Sequence, residues 1–441
     1  MNAGDVELIS KSILKPSSPT PQTHKTLKLS FFDQLVPPFY VPVIFFYPAD
    51  KTRSPALAKT SDPAHISHRL KQSFSHALSL FSALAGKLDP ENPAAVQCCD
   101  AGARFIETRV HAHLTDAIKD PDMENLIKYL PADPHSVIHE SSLLAVQINF
   151  FDCGGIALGV CSSHQVTDGS SLVAFMLTWA EICLRGGQGQ DRKFPQRAEF
   201  DLARHFPPRD PSDPGFSHSI YLKKENLVTK RLVFDREKLA ALRRRAATRS
   251  GSKKVDHPTR VELVSAYIWK NVIEIGLAKN IQLSAAWHVL NLRPRVTSCK
   301  LKNVFGNCIM KKYIYSEGGG EPVFRNLVSK MGKGLREIDE EYVRKAGDGG
   351  YLDDLSKYFD LVGSGKIETC GFSSWCRFPV YDVDFGWGKP EWVCPASCPE
   401  KNFSFMMGAK DGEGIELWIN MLESSYMHLE NKFKLLGKEE I

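Results

Sequence analysis

The chain has 441 residues, 43% hydrophobic and 24% charged, a composition that suits a folded protein of two or three domains with sizeable cores. No apolar run nears the roughly 18 residues needed to cross a bilayer, so no membrane association is expected. The net charge is +5, yet residues 223–260 carry thirteen Lys or Arg against four Asp or Glu, a local +9 that leaves −4 for the remainder. One basic segment on a mildly acidic body suits a small polyanionic ligand and argues against a nucleic-acid partner.

The first residues, Met1-Asn-Ala-Gly-Asp-Val-Glu7, lack the basic-then-apolar pattern of a secretion signal, and the expected location is cytoplasmic. The eleven cysteines then read as reduced thiols. Cys370, Cys376, Cys394 and Cys398 do not fall at familiar zinc spacings, so buried inert thiols and no metal are expected.

In chain order, Pro16-Ser-Ser-Pro-Thr-Pro21 reads as an extended lead, followed by a strand over Leu27 to Phe31. Val41 to Tyr47, interrupted by Pro42, reads as a buried strand. A helix begins at Asp62 as cap with Pro63 in its first turn, buries Ile66, Leu70, Phe74, Leu78 and Phe81, and ends at Gly86. Alternation over Leu144 to Phe150 and Ile156 to Val160, around Asp152-Cys-Gly-Gly155, predicts a hairpin. Its second strand runs into Cys161-Ser-Ser-His-Gln-Val-Thr-Asp-Gly-Ser170, and a helix follows with Leu172, Val173, Met176 and Trp179 on its apolar side. Residues 196–226 read as a crossover linker between an N-terminal domain, 1–195, and a C-terminal domain, 227–441. In the second half the spacing predicts a strand over Val228 to Phe234 and a helix from Asp235. A further helix is capped by Thr259 with Glu262 three residues on. Loops are expected at 316–320 and 347–350.

His164 and Asp168 sit at a strand-to-helix junction, a rigid setting for a reactive loop. Neutral imidazole is suited to act as a base near neutral pH. Small residues around it, Ser162, Ser163, Ser170 and Ser171, would leave room for substrate. Taken alone, the same pair also fits a histidine satisfied by a carbonyl and an aspartate capping the next helix. Asp384-Phe-Gly-Trp-Gly388 demands an unusual backbone but lacks the side chains for acid–base work, so it reads as a structural turn.

Together these two motifs resemble those of the plant BAHD acyltransferase family. Leu29-Ser-Phe-Phe-Asp33, Leu84-Ala-Gly-Lys-Leu88, Val261 to Trp269, Asn291-Leu-Arg-Pro-Arg295 and Phe305-Gly-Asn307 extend the likeness across nearly the whole chain. The resemblance implies an α/β fold of two similarly sized domains with mixed sheets and flanking helices, chloramphenicol-acetyltransferase-like, with a channel between them. It implies His164 as general base in that channel and Asp168 holding the loop by pairing with Arg293. It also implies a channel segment of Ser373, Ser374 and Trp375, with Ser373 the oxyanion donor. Coenzyme A phosphates would meet Lys253, Lys254, Thr259 and Arg260. Asp384, Gly386, Trp387 and Gly388 would be structural. Acyl-CoA is then a co-substrate, no cofactor is permanently bound, and a monomer is expected.

Within the family, the segments 16–21, 151–155, 201–208 and 373–390 are similar to the branch that acetylates alkaloids, terpenoids and volatile alcohols. That likeness implies acetyl-CoA as donor and a bulky apolar alcohol, foremost an indole alkaloid, as acceptor. The alternatives are a relative using a larger acyl-CoA and a non-catalytic binder of small metabolites.

Overall fold

The computed structural model describes residues 4–49, 62–134, 142–186, 198–210, 212, 226–247, 257–298, 300–317, 322–396 and 400–438. The first half contains strands β1 (Val6–Leu14), β2 (Thr26–Lys28), β3 (Tyr40–Tyr47), β4 (Lys87–Leu88), β5 (Ala95–Gln97), β6 (Ala103–Val110), β7 (Leu144–Phe151) and β8 (Ile156–Ser163). Its helices are α1 (Phe31–Gln34), α2 (Pro63–Leu80), α3 (Leu114–Lys119), α4 (Met123–Ile127), α5 (Gly169–Leu184) and α6 (Leu202–His205). The second half contains β9 (Leu227–Phe234), α7 (Arg236–Ala246), α8 (Arg260–Leu277), β10 (Leu283–Asn291), β11 (Ile309–Glu317) and α9 (Phe324–Arg336). It continues with α10 (Glu340–Lys345), α11 (Tyr351–Gly363), β12 (Ile367–Ser374), β13 (Trp392–Pro395), β14 (Phe403–Gly408), β15 (Ile415–Leu422) and α12 (Glu423–Leu435).

Two compact units result, each built on a six-stranded mixed sheet, as the α/β reading expected. The first has the order β1-β6-β7-β8-β3-β13, with β6 and β7 parallel and every other pair antiparallel. The small sheet β2-β5-β4 accompanies it. Helices α2 and α5 pack together, with the Trp179 indole N–H donating to Ser73 Oγ at 3.1 Å and the Phe74 ring meeting Trp179, Phe175 and Phe105 of β6. The second unit has the order β11-β10-β12-β14-β15-β9, parallel across β10, β12 and β14. Its central helix α8 starts from the expected capping box: Thr259 Oγ1 accepts from Glu262 N, and Glu262 Oε2 accepts from Thr259 N.

Several local expectations are revised. The strand over Leu27 to Phe31 stops at Lys28, because Ser30 and Asp33 form a capping box that starts α1. The Asp62 side chain makes no capping hydrogen bond to α2, although Pro63 does occupy the first turn. Both strands of the β7–β8 hairpin are buried at every position, so their alternation marks two interior faces rather than one wet and one dry. The β1 strand has no counterpart among the expected elements.

The division of the chain also differs from two contiguous blocks separated by a linker. The first unit comprises Met1–Arg209, Cys299–Cys308 and Phe378–Ser397. Residues 198–209 therefore belong to it rather than to a free crossover, and Glu199 bridges to Val304. The later segment brings β13 into register with β3, Trp392 opposite Phe46, and carries the Asp-Phe-Gly-Trp-Gly motif with it. The reason is long-range strand pairing, which leaves no mark in local sequence. Among the described residues, no helix is long and apolar enough to cross a membrane.

Candidate active site

His164 directly follows the last residue of β8, and its backbone N–H donates to Phe39 O at 2.9 Å. The ring is partly exposed, edge-on to Phe39 with centroids 5.8 Å apart. Its Nδ1 lies 3.1 Å from Asn307 Oδ1. An amide oxygen only accepts, so Nδ1 carries the proton and the basic lone pair is on Nε2. Asn307 holds the same residue a second time, Nδ2 donating to His164 O at 2.6 Å.

Four residues on, Asp168 is buried at the N-cap of α5. Oδ1 accepts from Ser171 N at 2.8 Å and Oδ2 from Cys308 N at 3.1 Å. The carboxylate thus ties the helix start to the 299–308 segment that supplies Asn307. Ser171 reinforces the tie, its hydroxyl donating to Gly306 O and accepting from Gly306 N, both at 3.1 Å. Gly306 has φ +127°, and a Cβ there would sit 3.0 Å from Leu202 Cδ2 and 3.3 Å from Asp33 Oδ1. Only glycine lets the chain turn here and present Asn307.

Three of the four serines expected to open space around the ring do something else, while Ser170, in the first turn of α5, is partly exposed. Ser162 Oγ bonds Thr167 Oγ1 at 2.5 Å and Ser171 is engaged as above, while Ser162, Ser163 and Ser171 are all buried. They pack the loop rather than clear it. The Cys161 thiol is buried against Ala132 O, and burial pushes its pKa far up, which leaves no thiolate nucleophile beside His164.

The turn at Asp384 lies in this first unit. Asp384 Oδ1 accepts from Gly386 N at 2.8 Å and Gly388 N at 3.0 Å, and both glycines have positive φ. Arg69 of α2 donates to Phe385 O and Cys183 O, Phe385 packs on Trp179, and Trp387 stacks on Phe385. The motif is a clasp on α2 and α5.

The remaining candidates belong to the second unit. Ser373 and Ser374 end β12, partly exposed, with Ser373 opposite Val289 and Phe405. Trp375 is buried against Phe405, and its backbone N–H donates to Met406 O at 2.8 Å. Arg293 donates to Asn291 Oδ1 at 3.2 Å. Thr259 caps α8, and Arg260 donates to the carbonyls of Gly412 and Glu413 in the β14–β15 turn. Lys253 and Lys254, together with Cys398, lie outside the described residues.

Asn307 and its neighbour Asp33 stand among the site's closest partners but carried no role in the sequence reading. Both occur only within the family-like segments Leu29-Ser-Phe-Phe-Asp33 and Phe305-Gly-Asn307. No spacing rule joins positions 274 residues apart.

Residues 4–436 match the Transferase family. The chain is 38% identical to stemmadenine O-acetyltransferase of Catharanthus roseus over 440 residues, covering 98% of this chain and 97% of that protein. It is 36% identical to vinorine synthase of Rauvolfia serpentina over 431 residues, 96% of this chain and 95% of that one. The crystal structure of vinorine synthase superposes with a TM-score of 0.83 at 34% identity, covering 98% of each chain. TRI101 of F. graminearum, solved with coenzyme A and T-2 mycotoxin, shares the fold at 18% identity and a TM-score of 0.65, covering 93% of this chain and 98% of its own. With both motifs present and the match spanning nearly the full length, the chain is an acyltransferase of the BAHD family.

Proposed function

We propose that the chain transfers an acetyl group from acetyl-CoA to a hydroxyl of a plant specialised metabolite, foremost an indole alkaloid, with His164 as general base. The observation that carries the chemistry is the Nδ1 contact to Asn307 Oδ1, which leaves Nε2 as the proton-accepting atom. The donor and acceptor classes are supported by relatives whose names denote acetyl transfer in plants: stemmadenine O-acetyltransferase and limonoid O-acetyltransferases.

The acceptor oxygen attacks the thioester carbonyl as its proton passes to Nε2, and a C–O bond forms. The carbonyl oxygen becomes an oxyanion, for which Ser373 is the assigned donor, with Ser374 and Trp375 shaping that segment. The C–S bond then breaks, the thiolate takes the proton back from the imidazolium, and an ester and free coenzyme A leave. General-base help of this kind is worth about 10²–10⁴-fold. No acyl-enzyme is needed, consistent with the buried Cys161 thiol. Asp168 is assigned to holding the loop, with Arg293 as its further partner. Lys253, Lys254, Thr259 and Arg260 are assigned to the coenzyme phosphates.

Release of free thiol, screened across acetyl-, malonyl-, benzoyl- and hydroxycinnamoyl-CoA against alkaloid and terpene alcohols, tests the reading. Turnover with acetyl-CoA and an alkaloid alcohol is expected. Turnover only with a larger donor would replace the acetyl assignment, and ligand binding without thiol release from any donor would replace the enzyme with a binder.

A further inference from the structure

We infer that Asp33 is a positioning residue that selects the tautomer of His164 through Asn307. The inference rests on the reading of His164 as base and adds Asp33, a residue with no chemical role in that reading.

The geometry is a three-member chain within the first unit. Asp33 Oδ1 accepts from Asn307 N at 2.6 Å and from Asn307 Nδ2 at 2.8 Å. Asp33 Oδ2 accepts from Ser30 N at 2.7 Å and Ser30 Oγ at 2.6 Å. Three of these four donors, the two backbone N–H groups and the amide NH2, have no lone pair to offer, so the ionised carboxylate is the form this nest satisfies. Asp33 is 3% exposed, and burial pushes its pKa up against those hydrogen bonds.

A planar amide facing a carboxylate has one favourable orientation. Nδ2 must point at Asp33, and it also reaches His164 O. Oδ1 is then left for the imidazole, and an acceptor there requires a proton on Nδ1. A reversed amide would turn its NH2 away from Asp33: Oδ1 would face the carboxylate, acceptor against acceptor, and Nδ2 would donate to Nδ1. The ring proton would move to Nε2, and the lone pair that receives the acceptor's proton would be gone. Asp33, separated from the ring by Asn307, therefore determines which nitrogen is basic.

The use of an amide as the middle member has its own consequence. In the Ser-His-Asp arrangement a carboxylate meets the imidazole and stabilises its cation. Here a neutral amide meets Nδ1, and the Asp33 carboxylate stands behind that amide, one residue back from the ring.

The test is ¹⁵N NMR of the full chain labelled at histidine, with the His164 signals identified by their loss in His164→Ala. The parent is expected to show a single Nδ1–H tautomer. Asp33→Asn is expected to show a mixture containing Nε2–H and to lose about 10²-fold in kcat, the usual cost of a misplaced reacting group, with KM for acyl-CoA little changed. Should Asp33→Asn not fold, Asn307→Ala gives the same two readouts. A parent ring protonated on Nε2 would overturn the inference, as would a folded Asp33→Asn or Asn307→Ala that keeps the parent's tautomer and kcat. The spectrum needs no turnover. A parent chain with the Nδ1–H ring but no thiol release would sustain the tautomer assignment while defeating the acyltransfer reading.

Discussion

Asp168 Oδ2 accepts the backbone N–H of Cys308 at 3.1 Å, across 140 residues of sequence. The same carboxylate caps α5, so one buried group joins the helix that follows the His164 loop to the segment that holds the His164 ring. Asp168→Ala would leave two buried N–H groups without this acceptor. A loss of about 2–4 kcal/mol is expected from the cap and the unsatisfied donor together. Thermal unfolding checks the stability, and thiol release should fall with it. A variant with the parent's melting temperature would show that the tie contributes little.

Arg69 fastens the Asp384 turn to α2 and α5 through the carbonyls of Phe385 and Cys183. Arg69→Met keeps an apolar stem and removes the donors. Its melting temperature is expected to drop by an amount corresponding to about 1–3 kcal/mol, with KM values for donor and acceptor unchanged. A changed KM at unchanged stability would mean that the clasp acts on the substrates.

His288 supplies a pH dependence of stability. It is buried, stacked on Phe372 with Nε2 2.9 Å from Ser265 Oγ, and burial pushes its pKa down to about 3. The unfolded chain binds a proton at this side chain near its ordinary value of about 6.5, while the folded protein does not. The contribution is therefore intact above about pH 6.5 and lost as pH falls from there toward 3. The slope is about 1.4 kcal/mol per pH unit over that window. Denaturant titrations at pH 7, 6 and 5 should show this decline, and His288→Gln should flatten it.

Cys161 should be chemically silent. Its thiol is sealed in β8, with its pKa pushed far up by burial. Iodoacetamide applied to the native enzyme is expected to leave Cys161 unmodified by mass spectrometry, and Cys161→Ala should show no loss of an acyl-enzyme burst, because none forms. Recovery of an acylated Cys161 peptide would contradict direct transfer.

Much of this arrangement was legible from sequence where the signal is local. The β7–β8 hairpin, the run from β8 through His164 to α5, and the Thr259–Glu262 capping box follow from alternation, turn residues and caps. The Ser30–Asp33 box is equally local, but the alternation over Leu27 to Phe31 reads as a strand across it. What stayed hidden depends on long-range pairing. The β13 strand docks beside β3, nearly 350 residues away in sequence, and the 299–308 segment returns to the first unit. The roles of Asn307 and Asp33 were hidden for the same reason: each has an unremarkable local explanation, and only their convergence on His164 gives them a chemical one.

The most direct measurement is the rate of thiol release by His164→Ala with acetyl-CoA and an accepted alcohol, on protein whose unfolding transition matches the parent. Loss of the Nε2 base should slow the reaction by about 10²–10⁴-fold while coenzyme A still binds. A folded His164→Ala enzyme that turns over at the parent's rate would contradict the mechanism.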